Sequence, residues 1–163
     1  MSANKGRPDR RRAARELALQ ALYQMHMSGA TAVDVQAEFL VDQDFKHADK
    51  RMFGQLLCGV AAQRESLDVM IEEFLDRKLS DLDPIELNVL RMGAYELSDS
   101  VAVPYRVVIN ECIELGKVFG ATDGHKYVNS ILDKVALNHR SVEIAAKQNS
   151  SALVTAYDDH GRI

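Results

Sequence analysis

The sequence predicts an all-α fold, a compact bundle of about six or seven helices. Apolar residues recur every three or four positions along most of residues 10–137, which is the period of a helix with one buried face. Helix start and stop signals separate these periodic segments. No stretch alternates apolar and polar residues over the length of a strand.

Length and composition agree with one such domain, or with two small subdomains that share a core. The chain has 163 residues, of which 47% are hydrophobic, so a core can form without a disulfide or a metal. No apolar run approaches the about 18 residues of a membrane span, and the arginine-rich start is not followed by the apolar segment of a secretory signal. Cys58 and Cys112 lie in apolar helical patterns and are expected to be buried thiols. We therefore expect a cytoplasmic protein.

The first half of the chain is predicted to form three or four helices. Residues 10–27 present one apolar face, made of Ala14, Leu17, Ala18, Ala21, Leu22 and Met25. Ser28 and Gly29 end this helix, and a shorter helix is predicted over residues 31–42. Residues 48–76 are helical in pattern, but their apolar face shifts near residues 64–66. A kink or a break is therefore expected there.

The start of the following helix is the clearest local signal in the chain. Asp83 can accept hydrogen bonds from the free N–H groups of the first turn, and Pro84 suits the first helical position. Glu86 can reach back to the cap, as in a capping box. This helix is predicted to run to about Leu97.

Two further helices complete the predicted bundle. Val103 and Pro104 begin one that ends near Gly120, with Val108, Cys112, Leu115 and Phe119 on one face. Gly116 within it costs about 1 kcal/mol relative to alanine, which close approach of another helix would offset. Thr122 or Asp123 is expected to cap the last helix.

The chain is divided into three regions. Residues 1–9 are predicted to be a flexible basic arm, residues 10–137 the helical domain, and residues 138–163 a polar C-terminal tail. The tail is weakly patterned, so we expect it to be flexible, with a helical stretch at most. Its removal after Asn138 is expected to change the melting temperature little.

The charge is distributed unevenly. Of 20 basic and 24 acidic residues, six basic and one acidic lie in residues 1–15, which leaves 14 basic and 23 acidic in the rest. A basic N-terminus on an acidic body indicates contact with a polyanion, commonly a nucleic acid. A solubilising tail is the alternative.

Three stretches together, in their order and spacing, resemble the NusB family. They are RELALQALY at residues 15–23, ELNVLRMGAYEL at residues 86–97, and VPYRVVINE at residues 103–111, which continues through LGKVFG at residues 115–120 to HKYVNSILDK at residues 125–134. The resemblance covers about residues 10–137. It implies two three-helix subdomains packed together, and transcription antitermination as the function.

The resemblance also implies the partners. NusB proteins bind the boxA element of nascent ribosomal RNA leader transcripts together with NusE, a small-subunit ribosomal protein, and the pair loads onto RNA polymerase. Family members occur as monomers and as dimers, which leaves a homodimer open for this chain.

The residues at the matching positions suit single-stranded RNA. Arginine supplies phosphate contacts and a planar group that stacks, and aromatic rings stack unpaired bases. The predicted RNA-binding residues are Arg11, Arg12, Arg15, Tyr23, Phe119, Asp123, Lys126 and Tyr127. Glu86 and Arg91 are predicted, on resemblance alone, to bind NusE. A core position for the three aromatic rings and a helix-capping role for Asp123 and Glu86 stay open as alternatives.

Two other functions fit parts of the sequence. A NusB-like domain precedes the catalytic region of ribosomal-RNA cytosine methyltransferases, which would require this chain to be a fragment. A helix-turn-helix DNA-binding regulator would use residues 86–119, but the linker at residues 98–102 is long for that motif and the second helix is acidic.

Catalysis has little support in the sequence. Cys112, His125 and Asp123 could form a nucleophile set only if the fold brought them together. The five histidines lack metal-ligand spacing, and no glycine pattern fits a phosphate loop. We therefore predict no enzymatic activity, no metal and no cofactor.

Overall fold

The helices of the protein follow one another with short connections. The structure is a computed structural model that describes residues 6–160, with side chains described over residues 6–150. The α-helices are α1 (Arg7–Ser28), α2 (Ala32–Asp42), α3 (Lys50–Ala62), α4 (Arg64–Glu72), α5 (Pro84–Asp99), α6 (Tyr105–Phe119), α7 (Gly124–His139) and α8 (Ser141–His160), with a 3₁₀ helix over Leu79–Asp81. The predicted all-α fold is confirmed. Over the described residues it has eight α-helices, because α4 is separate from α3 and the tail forms α8.

Helix α5 lies at the centre of the fold. It contacts α1 and α3 on one side and α4, α6 and α7 on the other. Residues 86–94 of α5 are all buried, which agrees with a sequence that is apolar on more than one face. The groups α1–α3 and α5–α7 correspond to the two expected three-helix subdomains, with α4 packed against α5 and α7.

Glycine allows two of the closest helix contacts around α5 and α6. A Cβ atom on Gly93 would lie 2.6 Å from Cδ1 of Leu132 on α7, and a Cβ on Gly116 would lie 3.2 Å from the Cα of His125. Because a larger residue would push α7 away, these glycines set its distance from α5 and α6. The expectation that close approach explains Gly116 is therefore confirmed.

The predicted helix boundaries are largely confirmed. The Asp83 carboxylate accepts hydrogen bonds from the N–H groups of Ile85 (3.1 Å) and Glu86 (3.3 Å), as expected of an N-cap. The break in residues 48–76 falls at Gln63. Gly29 ends α1 in the left-handed region at φ 74°, where glycine carries no Cβ penalty. Asp123 precedes α7 but its side chain makes no capping hydrogen bond, so the expected cap is corrected.

The boundaries of the arm differ from those predicted. Helix α1 begins at Arg7, so residues 7–9 of the predicted arm form its first turn. Gly6 and Pro8 explain this start, because Pro8 suits the first turn of a helix. Residues 1–5 of the predicted arm lie outside the described residues.

The start of the tail is bound to the core through one buried arginine. The Arg140 side chain donates to four backbone carbonyl groups at the α5–α6 connection, those of Glu96, Leu97, Ser100 and Val103, at 2.7–3.1 Å. Glu143 accepts from Arg140 Nη1 at 2.6 Å and from the N–H of Tyr105 at 2.9 Å. Arg140 therefore caps the end of α5, and Glu143 caps the start of α6. Because this network lies beyond Asn138, the structure favours a loss of stability on truncation there, in place of the small change expected from the sequence.

Candidate RNA-binding surface

The three predicted arginines of α1 occupy different environments. Arg15 is only 2% exposed, and its Nε and Nη2 donate to the two oxygens of Glu96 at 2.9 and 2.8 Å. Glu96 is itself buried. Arg15 is therefore enclosed and paired within the fold, and its predicted contact with RNA stays a prediction. Arg15 joins α1 to α5.

Arg12 is accessible and lies on the side of α1 that carries Tyr23. Its side chain is 51% exposed and makes a two-pronged ion pair with Glu111 of α6 at 2.9 and 3.0 Å. The hydrogen bond with Glu111 raises the pKa of Arg12. On an α-helix residues 11 apart are offset by only about 20°, so Arg12 lies on the same stripe as Tyr23. Arg11, offset by about 120° from Tyr23, lines a different cavity with Asp49 and Asp99.

Tyr23 and Phe119 line one apolar groove. The groove has a volume of about 710 Å³ and lies between α1, α2, the start of α5 and the end of α6. Tyr23 is 37% exposed and Phe119 is half-buried. Met27 and Ile85 line the same groove. The two aromatic positions that the sequence left open between core and surface are thus partly accessible and face a common space.

Asp123 and Lys126 lie at the N-terminus of α7, and both are exposed. The Lys126 Nζ is 3.2 Å from the Asp123 carboxylate, so each partly neutralises the other. Asp123 adopts the left-handed conformation at φ 65°, which is uncommon outside glycine and costs conformational energy. This turn lies between α6 and α7, which pack against each other.

Tyr127 is held in place by two residues that the sequence analysis missed. Its hydroxyl donates to Asp76 at 2.9 Å, and the Arg77 guanidinium lies 4.6 Å from the centre of its ring. Hydrogen bonds from Arg77 and Tyr127 lower the pKa of Asp76. No sequence signal could have paired these groups, because 50 residues separate Arg77 from Tyr127.

Glu86 and Arg91 are buried rather than presented to a partner. The Glu86 carboxylate lies so close to Gly124 that a Cβ there would overlap it, and burial raises the pKa of Glu86. Arg91 donates to the two oxygens of Asp68 on α4 at 2.7 and 3.0 Å. The prediction that both bind NusE stays a prediction. Glu86 supports the start of α7, and Arg91 fixes α4 against α5.

The nucleophile set considered from the sequence has no support in the fold. The Cys112 thiol is buried, lies 3.9 Å from the carbonyl oxygen of Val89, and has its pKa raised by burial. A buried thiol of high pKa is a poor nucleophile. Within the part of the chain that the structure describes, no cluster of three or more histidine, cysteine or acidic residues is placed to hold a metal. No helix among those residues is long and apolar enough to cross a membrane.

The surface from Arg12 through the groove to the start of α7 has the features of a helical nucleic-acid-binding protein. It combines an accessible arginine, partly exposed aromatic rings and an exposed lysine at a helix N-terminus.

The model of the NusB family matches residues 12–137. The transcription antitermination protein NusB of Hahella chejuensis is 52% identical over 141 residues, which cover 86% of this chain and 95% of that protein. The corresponding protein of Chromohalobacter salexigens is 54% identical over 151 residues, covering 85% and 91%. The chain belongs to the NusB family.

Solved structures share the fold. The T. maritima NusB structure has a TM-score of 0.70 and 29% identity, and the match covers 78% of this chain and 91% of that one. The structure of the antitermination factors NusB and NusE in complex with dsRNA has a TM-score of 0.64 and 22% identity, and covers 77% and 94%. The second of these supports the fold alone.

Proposed function

We propose that the protein is a transcription antitermination factor that binds boxA RNA of ribosomal RNA leader transcripts together with NusE and joins RNA polymerase. It acts by binding and not as an enzyme, and it works in the cytoplasm, where transcription occurs in bacteria. Family membership supports this function, since its relatives are named transcription antitermination proteins. The observation that carries the RNA role is the shared groove of Tyr23 and Phe119, with the exposed Arg12 about three turns before Tyr23 on the same stripe of α1.

The groove suits unpaired bases more than a duplex. Sequence-specific RNA recognition relies on bases splayed out of the stack and held on aromatic planes, and the half-exposed rings of Tyr23 and Phe119 offer such planes. Arg12 and Lys126 lie at the two ends of this surface and supply phosphate contacts. The ion pair with Asp123 partly neutralises the positive charge of Lys126.

NusE docks, in this proposal, on the exposed acidic face around α4. Glu65, Glu72, Glu73 and Asp81 are all exposed there. Acidic residues outnumber the exposed Arg77 and Lys78 in this segment, and a predominantly acidic face speeds encounter with a basic partner such as a ribosomal protein. Arg91 contributes by fixing α4 against α5 through Asp68, and Glu86 by supporting the neighbouring start of α7.

The alternatives are less well supported. The matched relatives are antitermination proteins that this chain covers over 91% and 95% of their length, whereas a methyltransferase would extend far beyond the match. A helix-turn-helix would need an exposed recognition helix, but Glu111 and Glu114 place acidic groups on α6, which would repel DNA phosphates.

Binding measured across a range of salt concentrations tests the proposed function. The protein is titrated with a boxA RNA, a scrambled RNA of the same length and a duplex DNA. We expect boxA to bind most tightly, with a preference over the scrambled RNA that persists when salt weakens all three. Equal affinity for boxA and scrambled RNA, or preference for the duplex DNA, would contradict the proposal.

Arg12→Ala is expected to lower the slope of log affinity against log salt by about one unit, because one phosphate contact is lost. Arg11→Ala is the matched control, since Arg11 is adjacent but lines a cavity with Asp49 and Asp99. It should change the slope less. The slopes are measured by fluorescence anisotropy with labelled boxA RNA. Equal slopes for the two variants would show that the stripe of Arg12 and Tyr23 does not face RNA.

Glu111→Gln is expected to tighten RNA binding by up to about fivefold at low salt. The ion pair with Glu111 competes with phosphate for Arg12, and an exposed pair of this kind is worth up to about 1 kcal/mol. Glu114→Gln removes an equal charge from the same helix, where Glu114 pairs with Lys117 instead. If both variants gain affinity equally, general charge and not release of Arg12 is responsible.

A further inference from the structure

Arg77 and Tyr127 form a stacked pair on the surface. The guanidinium carbon lies 4.6 Å from the centre of the Tyr127 ring, which is within the range of a cation–π contact. Asp76 holds both members, since it accepts from the Tyr127 hydroxyl at 2.9 Å and from Arg77 Nε at 2.8 Å. Asp76 and Arg77, which lie between α4 and the 3₁₀ helix, thus both contact Tyr127 of α7. Asp76 accepts from its hydroxyl, and Arg77 lies over its ring.

This pair is accessible and lies outside the core. The Arg77 side chain is 48% exposed, and Asp76 is more exposed still. About half of the Arg77 side chain is thus accessible to a ligand although its guanidinium lies over the Tyr127 ring. A guanidinium plane of this kind stacks on nucleic-acid bases.

The pair is continuous with the groove already described. Ile85 and Phe119 line that groove. Glu86, the residue after Ile85, lies against Gly124 at the start of α7. Tyr127 follows Gly124 by about one helical turn. Arg77 reaches this junction through its contact with the Tyr127 ring. One surface therefore runs from α1 through the groove to the α4–α5 connection.

We infer that Arg77 is part of the RNA-binding surface, where an unpaired base stacks on the face of its guanidinium that is opposite Tyr127. This inference rests on the proposed function and extends its site to the segment between α4 and the 3₁₀ helix. Tyr127 then acts as the platform beneath Arg77 and does not itself contact the base. Asp76 is a positioning residue, because its hydrogen bonds hold the Tyr127 ring and the Arg77 guanidinium together. Lys126 lies beside Tyr127 and is placed to take the phosphate of the same nucleotide.

Arg77→Ala tests the inference, with Arg77→Lys and Arg106→Ala as companions. Arg77→Lys keeps the positive charge but removes the planar guanidinium group. Arg106 is the matched control: its guanidinium lies 5.1 Å from the Tyr105 ring, it is 3.7 Å from Asp133, and it is similarly exposed. It lies at the opposite end of α6 from Phe119, roughly 20 Å away at 1.5 Å per residue. Circular dichroism melting should show that all three variants fold as the wild type does.

We expect Arg77→Ala to weaken binding of single-stranded boxA RNA by about tenfold, the usual effect of losing one stacked base. Arg77→Lys should lose most of that affinity and yet keep the wild-type salt slope. Arg106→Ala should bind as the wild type does. A set of boxA RNAs with one abasic position each then locates the base. At one position the abasic change should weaken wild-type binding but add no further loss in Arg77→Ala, because both changes remove the same contact.

Four results would overturn the inference. Wild-type affinity in Arg77→Ala would show that Arg77 contacts no RNA. Equal losses in Arg77→Ala and Arg106→Ala would show a general effect of charge, as would full affinity in Arg77→Lys. Wild-type protein that binds no RNA would remove the proposed function and this inference together, whereas wild-type binding that is insensitive to Arg77 would remove the inference alone.

Discussion

Arg15→Ala is expected to destabilise the protein by about 3–5 kcal/mol, because it leaves the Glu96 carboxylate buried without its partner. Both side chains are almost fully enclosed, at 2% and 1% exposure, and two hydrogen bonds of 2.8 and 2.9 Å join them. Water cannot replace the guanidinium at that depth. For a chain of this size, such a loss lowers the melting temperature by on the order of 10 °C. Thermal unfolding followed by circular dichroism measures it.

Arg12→Ala provides the control for this prediction. Arg12 lies on the same helix and also pairs with a glutamate, but its side chain is half exposed, so its loss should cost at most about 1 kcal/mol. A double change, Arg15→Met with Glu96→Leu, should recover much of the stability, since an apolar pair of similar volume can replace a buried ion pair. Melting of Arg15→Ala at the wild-type temperature would contradict the structural role assigned to this residue.

Truncation after Asn138 is expected to destabilise the protein by on the order of 3 kcal/mol, because several backbone carbonyl groups lose a charged donor. The deletion removes Arg140, which is 4% exposed, and Glu143, which caps α6. The end of α5 and the start of α6 then lack their hydrogen-bond partners. Urea unfolding monitored by circular dichroism gives the change in the free energy of unfolding.

Truncation after Ser150 is the matched control. It keeps Arg140, Glu143 and Ile144, which packs against the core, and removes the more distal part of α8. It should unfold close to the wild type. Arg140→Ala in the full-length chain should reproduce most of the effect of the longer deletion. If instead the two truncations unfold alike, the Arg140 network does not stabilise the connection between α5 and α6.

The helices of this protein could be predicted from the sequence because their signals are local. An apolar period of three or four residues marks each buried face, and Asp83 with Pro84 marks the start of α5 within a few residues of chain. The family resemblance was also carried by contiguous stretches. The length of the tail helix was missed, because its polar sequence has no strong period and a short anchor at its start holds it to the core.

The site was only partly predictable. The sequence does not distinguish the three arginines of α1. In the structure Arg11 lines a cavity with carboxylates, Arg12 pairs with Glu111 at the surface, and Arg15 is buried with Glu96. Tyr23 and Phe119 were predicted as RNA-binding residues, but their common groove depends on how α1 and α6 each pack against α5. The RNA contacts assigned to these residues stay predictions until binding is measured.

By itself, the sequence determined the all-α class, most helix boundaries and the family, because these follow from neighbouring residues and from their order. Only the tertiary structure decided which charged groups are free to bind and which hold the fold together. The partners of Arg15, Arg140 and Tyr127 are 81, 43 and 51 residues away along the chain. A charged group is stable in the core only when a partner pairs or hydrogen-bonds with it. No local sequence pattern encodes a contact between residues so far apart along the chain.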